Sequence, residues 1–228
     1  MYYSTFLLDL DHTLFDSDTS EHAAFTQTLR ASGIAQPDRY RDSYRRINLE
    51  LWACVERGEL EAHHVRGLRF ERLVAEHDLD ADPQRMADDF VAGLSANGEL
   101  YAGALEVLEA LSACARLALV TNGLGEVQRA RIERVGIGGY FRAIVVSAEV
   151  GVAKPAPGIF DITFAALDSP ARHTALMVGD NLASDIRGGR NYGISTCWYN
   201  PRGTPPGNTG DADHTIGDLR ELLRFVAD

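Results

Sequence analysis

"FLLDLDHTLFDSD", residues 6–18, places Asp9, Asp11, Asp16 and Asp18 directly behind an apolar run. Like charges this close repel, and burying them without a partner is costly. The stretch is therefore either a solvated acidic turn or the mouth of a buried strand that a cation completes. The apolar part decides the fold. "TFLLDLD" (5–11) is nearly continuous in apolar residues until it meets acid, which fits a strand buried on both faces, as in a parallel sheet covered by helices.

Four more runs share that form: "ARLALVTNG" (115–123), "AIVVSAE" (143–149), "TALMVGDN" (174–181) and "STCWYN" (195–200). Helical patterns separate them. "EVQRARIERVG" closes on Gly136, and "PGIFDITFAAL" begins after prolines. "GDLRELLRFVAD" carries Leu219, Leu222, Leu223 and Val226 at helical spacing behind Asp218 as N-cap. Strand alternating with helix predicts an α/β, Rossmann-like, doubly wound parallel sheet whose ligands bind at the carboxyl ends of the strands.

Residues 17–100 break the alternation. A helix is expected from Ser20 to Gly33, and a longer one with Tyr40, Tyr44, Ile47, Leu51 and Val55 on one face ending at Gly58. Two more follow, around "HHVRGLRFERLVAEH" and "PQRMADDFVAGL", the last capped by Asp82 with Pro83 in its first turn. The expected organisation is an α/β core of residues 1–16 and 101–228, with an all-helical cap, 17–100, inserted after the first strand.

The 228-residue chain has 22 basic against 33 acidic side chains, a net charge of −11. This argues against a nucleic-acid polymer or an anionic membrane as partner. A small anionic substrate stays compatible, because a metal ion and a few basic groups can reverse the field inside one pocket. Cys54, Cys114 and Cys197 form no CxxC pair, so free thiols in a reducing cytoplasm are expected. The N-terminal stretch lacks a basic n-region, and no run approaches the ~18 apolar residues of a membrane span. The expectation is a cytoplasmic monomer or homodimer, with "NPRGTPPGNTG" (200–210) as one long loop.

The strand ends carry the chemistry. Asp9 and Asp11, two residues apart, start on one side of a strand. One can attack an electrophile while the other protonates the leaving oxygen and then deprotonates a water. Thr121 and Asn122 of "VTNG" offer a hydroxyl and an amide to a phosphoryl oxygen. Lys154 of "GVAKPAP" offers a compact positive charge, and every other basic side chain of the 22 is an arginine. "MVGDNLASD" supplies Asp180 and Asp185, and hard oxygen ligands such as Asp9 and Asp180 suit Mg²⁺. Each has a plainer alternative: Thr121 capping the helix near 125, Lys154 at the surface, Asp185 capping the short helix "SDIRGGRNYG". "GLGE" at 123–126 lacks the full GxGxxG and reads as a turn.

Together these residues resemble the haloacid dehalogenase (HAD) superfamily over essentially the whole chain: DxDxT as "DLDHT" (Asp9, Asp11, Thr13), the Thr of "VTNG", the Lys of "AKP" and "GDNLASD". The resemblance implies a C1-type helical cap and Asp9 as the nucleophile forming an aspartyl-phosphate, with Asp11 as general acid/base. Thr121 and Lys154 would hold the phosphoryl group. Asp9, Asp180 and the Asp11 backbone carbonyl would bind Mg²⁺, and Asp185 would support the metal or Lys154. The dehalogenases proper lack the second acid of the first motif, so Asp11 favours phosphate-ester hydrolysis: a phosphate ester's alkoxide needs a proton, and a halide does not.

"DLDHTLFDSD", "VGVAKPAPGIFD" and "GISTCWYNPRG" are most similar to the pyrimidine 5′-nucleotidase branch, implying a small phosphorylated metabolite, a nucleoside monophosphate, as substrate, with Trp198 and Asn200 near it. His12 stands where Gly is frequent in the family and is read as a partly exposed spacer. Specificity is expected in the cap stretch "VERGELEAHHVRGLRFERL", with Arg66 and Arg69 meeting substrate and His63 or His64 stacking on a base. Alternatives are a phosphoglycolate or sugar-phosphate phosphatase, a phosphomutase, or, from another class, a signalling domain phosphorylated on aspartate.

Overall fold

The computed structural model of the chain describes residues 2–205 and 212–226. In chain order its elements are β1 (Thr5–Leu8), α1 (Ser17–Ala31), α2 (Arg41–Glu56), α3 (Val65–His77), α4 (Pro83–Ala96), α5 (Ala104–Cys114), β2 (Arg116–Thr121) and α6 (Gly125–Arg134). There follow β3 (Ala143–Val146), α7 (Ser147–Val150), α8 (Pro157–Ala166), β4 (Ala175–Gly179), α9 (Arg187–Tyr192), β5 (Ser195–Tyr199) and β6 (His214–Ile216). Among the described residues the strands form one sheet in the order β3-β2-β1-β4-β5-β6, with every neighbouring pair parallel.

Alternation along the strands divides the core into two layers. Phe6, Leu8, Leu117, Leu119, Leu176 and Val178 pack with α5 and the C-terminal segment on one face. Leu7, Ala118, Val120, Ala175 and Met177 pack against α8 on the other. Coverage on both faces is why these strands read as continuous apolar runs. The chain order reverses between β1 and β4, which makes the carboxyl ends of those two strands the crevice where such sheets gather ligands.

Helices α1–α4 all precede β2 and build an apolar cluster of their own, centred on Phe25, Tyr44, Phe70 and Phe90 with ring centroids 4.6–6.0 Å apart. Leu124 and Val127, at the start of α6, join that cluster, so the inserted helices rest on the core there. At Gly93 a Cβ would stand 2.9 Å from the Ala24 backbone, which sets how closely α4 lies on α1.

Several boundaries differ from the expectation. β1 ends at Leu8, because the carbonyl of Leu10 turns to accept the N–H groups of Leu14 and Phe15. Asp9 therefore sits at the strand end, its N–H still bonded to β4, and Asp11 stands on the turn that follows. α1 begins at Ser17, earlier than Ser20, since the Asp16 carboxylate caps it through the Thr19 N–H at 3.1 Å. Asp82 and Pro83 open α4 as expected. The C-terminal segment Leu219–Phe225 is a 3₁₀ helix in place of an α-helix: its buried residues Leu219, Leu222 and Phe225 fall every third position, the 3₁₀ repeat, behind a capping box of Asp218 and Glu221.

α5 and β6 had no counterpart in the sequence reading. Of the 200–210 loop, residues 206–210 lie outside the described residues; its first part closes on itself through two hydrogen bonds between the Asn200 side chain and the Thr204 backbone. The three cysteines are free thiols. Among the described residues no helix is long and apolar enough to cross a membrane.

Candidate active site

Asp9 follows β1 directly and donates its N–H to the Val178 carbonyl of β4 at 3.0 Å, which seats its side chain on the crevice between the two strands. Lys154 arrives from the loop before α8, 145 residues away in sequence, and is 1 % exposed. Its ammonium donates to Asp9 Oδ1 at 2.5 Å and to the Val120 carbonyl at 2.6 Å, and forms an ion pair with Asp185 Oδ1 at 2.7 Å. The Asn122 side chain clamps the Lys154 backbone in both directions, accepting its N–H and donating to its carbonyl, each at 2.9 Å. Asn122 thus holds Lys154 in place, and it also lines the cleft, where the second N–H of its amide has no partner from Lys154.

The turn after β4 brings the remaining acids. Asn181 caps it by accepting from the N–H groups of Ala183 and Ser184, and residues Leu182–Ile186 form one π-helical turn. Asp185, relieved of capping, points back at Lys154 and accepts the Asn181 N–H at 3.0 Å. Gly179 makes room for it, since a Cβ there would lie 2.1 Å from Asp185 Oδ2. Asp180 is fixed at its backbone, where the N–H donates to Thr13 Oγ1 and the carbonyl accepts the Trp198 indole at 2.8 Å. Trp198 therefore acts on Asp180 from behind.

Asp11 occupies the opposite wall. Its carboxylate accepts from the Ser17 hydroxyl, from Gln128 Nε2 at 2.6 Å and from Arg131 Nη1 at 2.7 Å. Burial works to raise its pKa, but Arg131, Ser17, His12 and Gln128 outweigh it and hold the carboxyl below its ordinary range. Gln128 also donates to Thr121 Oγ1 at 2.8 Å, linking the two motifs. Arg131 further donates to the Leu94 carbonyl of α4 and the Ser20 hydroxyl of α1. Sequence reasoning missed Gln128 and Arg131; the signal was two polar residues inside the buried stripe Val127, Gln128, Arg131 and Ile132 of α6.

These groups floor a cleft of about 270 Å³ roofed by the inserted helices. Arg69 is in its lining, but Arg66 is not: it pairs with Glu126 at 2.5 Å and Asp88 at 2.6 Å. His63 and His64 are exposed, face one another with centroids 3.9 Å apart, and lie outside the lining as well. The roof comes chiefly from α2 instead, through Arg45, Asn48, Trp52 and Glu56. Asn200 and Trp198 border a neighbouring hollow that shares His12, Asp18, Arg45 and Asp180 with the cleft. His12 sits at this mouth with φ +61°, in the left-handed region that favours glycine.

The donor set fits a hard divalent cation. Asp9, Asp180 and Asp185 place carboxylate oxygens within 4.8 Å of one another. Among the described residues no donor reaches the Asp180 carboxylate, although it lines the cleft. Burial, with Asp185 and Asp9 adding to it, pushes Asp180 up to about 8; burial also raises Asp9, against the pull of Lys154. An acid whose folded pKa lies above its unfolded value binds more protons in the native state, so its contribution to stability falls as pH rises from about 4 to about 8. Millimolar Mg²⁺ is expected to offset that loss, raising Tm by about 5–10 °C near pH 8.5 and far less near pH 5. Thermal melts at the two pH values check this, and an equal shift at both would count against these acids as the ligands.

A family model described as haloacid dehalogenase-like hydrolase matches residues 3–193. Pyrimidine 5′-nucleotidase PynA of Streptococcus pneumoniae is 33% identical over 98% of this chain and 94% of its own length. Pyrimidine 5′-nucleotidase YjjG of Escherichia coli is 33% identical over 99% of each chain. The solved structure of the HAD-hydrolase YfnB from Bacillus subtilis bound to magnesium superposes with a TM-score of 0.89 at 29% identity, covering 98% of both chains.

Proposed function

Since the chain belongs to the haloacid dehalogenase-like hydrolases and is a phosphatase of that family, we propose that it hydrolyses nucleoside 5′-monophosphates, pyrimidine ones foremost, through an aspartyl-phosphate on Asp9. The observation that carries the chemistry is the buried Asp9–Lys154–Asp185 cluster beside the unpartnered Asp180, facing Asp11 across one cleft. The full-length similarity to two pyrimidine 5′-nucleotidases directs the choice of substrate.

In this reading an Asp9 carboxylate oxygen attacks phosphorus. Lys154 compensates the negative charge on the phosphoryl oxygens, and Thr121, whose Oγ1 already accepts from Gln128, keeps its own O–H to donate to one of them. Asp11 gives a proton to the leaving 5′ oxygen and afterwards takes one from the water that opens the aspartyl-phosphate. The arrangement described here, with Asp11 ionised against Arg131, is the one that second step requires. Asp9, Asp180 and the Asp11 backbone carbonyl would hold Mg²⁺, whose charge neutralises carboxylates and phosphoryl oxygens together. Helices α1–α4 serve as the cap, excluding bulk water and meeting the part of the substrate beyond the phosphate. We place the activity in the cytoplasm, where the thiols stay reduced.

Phosphate release with Mg²⁺ across dUMP, UMP, dTMP, a purine monophosphate, phosphoglycolate and a sugar phosphate tests the reading. Pyrimidine monophosphates are expected to lead in kcat/KM. In single-turnover measurements Asp11→Asn is expected to slow release of the nucleoside by about 10²- to 10⁴-fold, and release of p-nitrophenol, a leaving group that needs no proton, much less. A flat or sugar-led ranking overturns the nucleotide assignment. A uniform loss across leaving groups in that release step overturns the role of Asp11 as the acid.

A further inference from the structure

The roof of the cleft holds a buried polar group that the phosphoryl chemistry leaves unused. Arg69 is 3 % exposed. Its Nε donates to the Val65 carbonyl at 3.0 Å, its Nη1 reaches the Tyr44 hydroxyl only at 3.4 Å, and its guanidinium lies over the Phe90 ring at 5.1 Å. Among the described residues no carboxylate is within ion-pair distance of it. A buried cation without an anionic partner is costly unless another acceptor satisfies it. Beside it, Asn48 is 8 % exposed and donates through Nδ2 to Glu21 at 3.2 Å, while its Oδ1 is buried without any donor. Arg69 and Asn48 both line the cleft. The Glu21 carboxylate faces Arg69 beyond ion-pair distance, so among the described residues Arg69 Nη2 is left without an acceptor and Asn48 Oδ1 without a donor.

We infer that Arg69 and Asn48 form the subsite for the base of the substrate, reading a carbonyl next to a ring N–H, the imide edge of uracil or thymine. This rests on the nucleotidase reading and names the groups that would recognise the base. The carbonyl accepts from Arg69 and the ring N–H donates to Asn48 Oδ1, so each group gains the partner it lacks. Trp52 follows Asn48 by four residues on α2 and shares its stripe, giving the ring a flat wall, with Leu94, Leu124 and Val127 also apolar in the lining.

A second anionic group on the substrate suits this roof poorly. Its charged lining is Asp18, Glu21 and Glu56 against Arg45 and Arg69, and Asp18 is already paired with Arg202 at 2.8 Å.

Wild type, Asn48→Ala and Arg69→Met are compared on UMP, AMP, ribose 5-phosphate and p-nitrophenyl phosphate, with free uridine as an inhibitor of the last. Each variant is expected to lose about 10- to 100-fold in kcat/KM for UMP, mainly through KM, and to lose inhibition by uridine. Ribose 5-phosphate and p-nitrophenyl phosphate, which have no base, are expected to be hydrolysed as before. If Arg69→Met falls on every substrate because the cap is disturbed, Asn48→Ala decides alone. An equal fall across substrates in Asn48→Ala, or undiminished selectivity for UMP, overturns the subsite while the nucleotidase reading stands. A wild type that neither prefers UMP to ribose 5-phosphate nor binds uridine overturns both.

Discussion

Asp9→Asn is expected to abolish phosphate release, by a factor on the order of 10⁴–10⁶, while the protein stays folded. The amide is isosteric with the carboxylate but is no nucleophile for phosphorus. The fold tolerates the change because Asp9 is one of several buried acids at the crevice, and its carboxyl is already raised by burial. Lys154 keeps Asp185 at 2.7 Å and the Val120 carbonyl at 2.6 Å, so no buried charge is left alone. Tm is therefore expected to stay within a few degrees of wild type, or to rise where the missing negative charge relieves Asp180. Rapid-quench experiments with labelled substrate provide the second readout: wild type is expected to pass through a short-lived phosphorylated protein, and Asp9→Asn to form none. Substantial surviving turnover would transfer the nucleophile to another group. A phosphorylated species that persisted would favour a signalling role over catalysis.

Lys154→Met carries the largest expected effect on stability. The ammonium is the cation between Asp9 and Asp185, and the pair raises its pKa well above the ordinary lysine value despite burial. A lysine raised in this way contributes its full stabilisation below its unfolded pKa of ~10.4. The contribution is lost only as pH rises through the folded value, so it is complete at neutral pH. Removing one partner of a buried pair typically costs about 3–5 kcal/mol. At ~2–4 °C per kcal/mol for a chain of this size, Tm falls by roughly 6–20 °C. The deficit should shrink as pH is lowered from about 8 to about 5, because Asp9 and Asp180, both raised by burial, take up protons. Calorimetry across that range checks both the size and the trend. A deficit that did not change with pH would mean that lost packing of the butyl chain, and not the uncompensated acids, accounts for it. Hydrolysis is expected to be lost along with the charge that faces the phosphoryl group.

The sheet was legible because each strand is buried on both faces. The apolar runs ending in Asp9, Thr121, Lys154's neighbourhood and Asp180 could hardly form anything but a covered parallel sheet, and the polar residues had to collect at its carboxyl edge. The inserted helices were legible for a similar reason, since Tyr44, Ile47, Leu51 and Val55 recur at helical spacing and are all buried. Local chemistry also read correctly where it depended on near neighbours, as with Asp82 and Asp218 at their helix starts.

Less legible were contacts that depend on which partner arrives from afar. Asn122 offers an amide that suits a phosphate as well as a backbone, and its two bonds to the Lys154 backbone come from 32 residues away. Arg66 and Arg69 are three residues apart on α3, yet Glu126 and Asp88 capture the first and the packing of Phe90 turns the second into the cleft. Gln128 and Arg131 reach Asp11 across 117 and 120 residues. The sequence by itself determined most of the elements, five of the strands and the identity of the acids at their ends, because hydrophobic period and caps act within a few residues, while α5 and β6 went unread. Only the tertiary structure decided which polar flank of each helix faces the cleft, because the apolar face fixes a helix's rotation and the polar side chains take whatever partners that rotation presents.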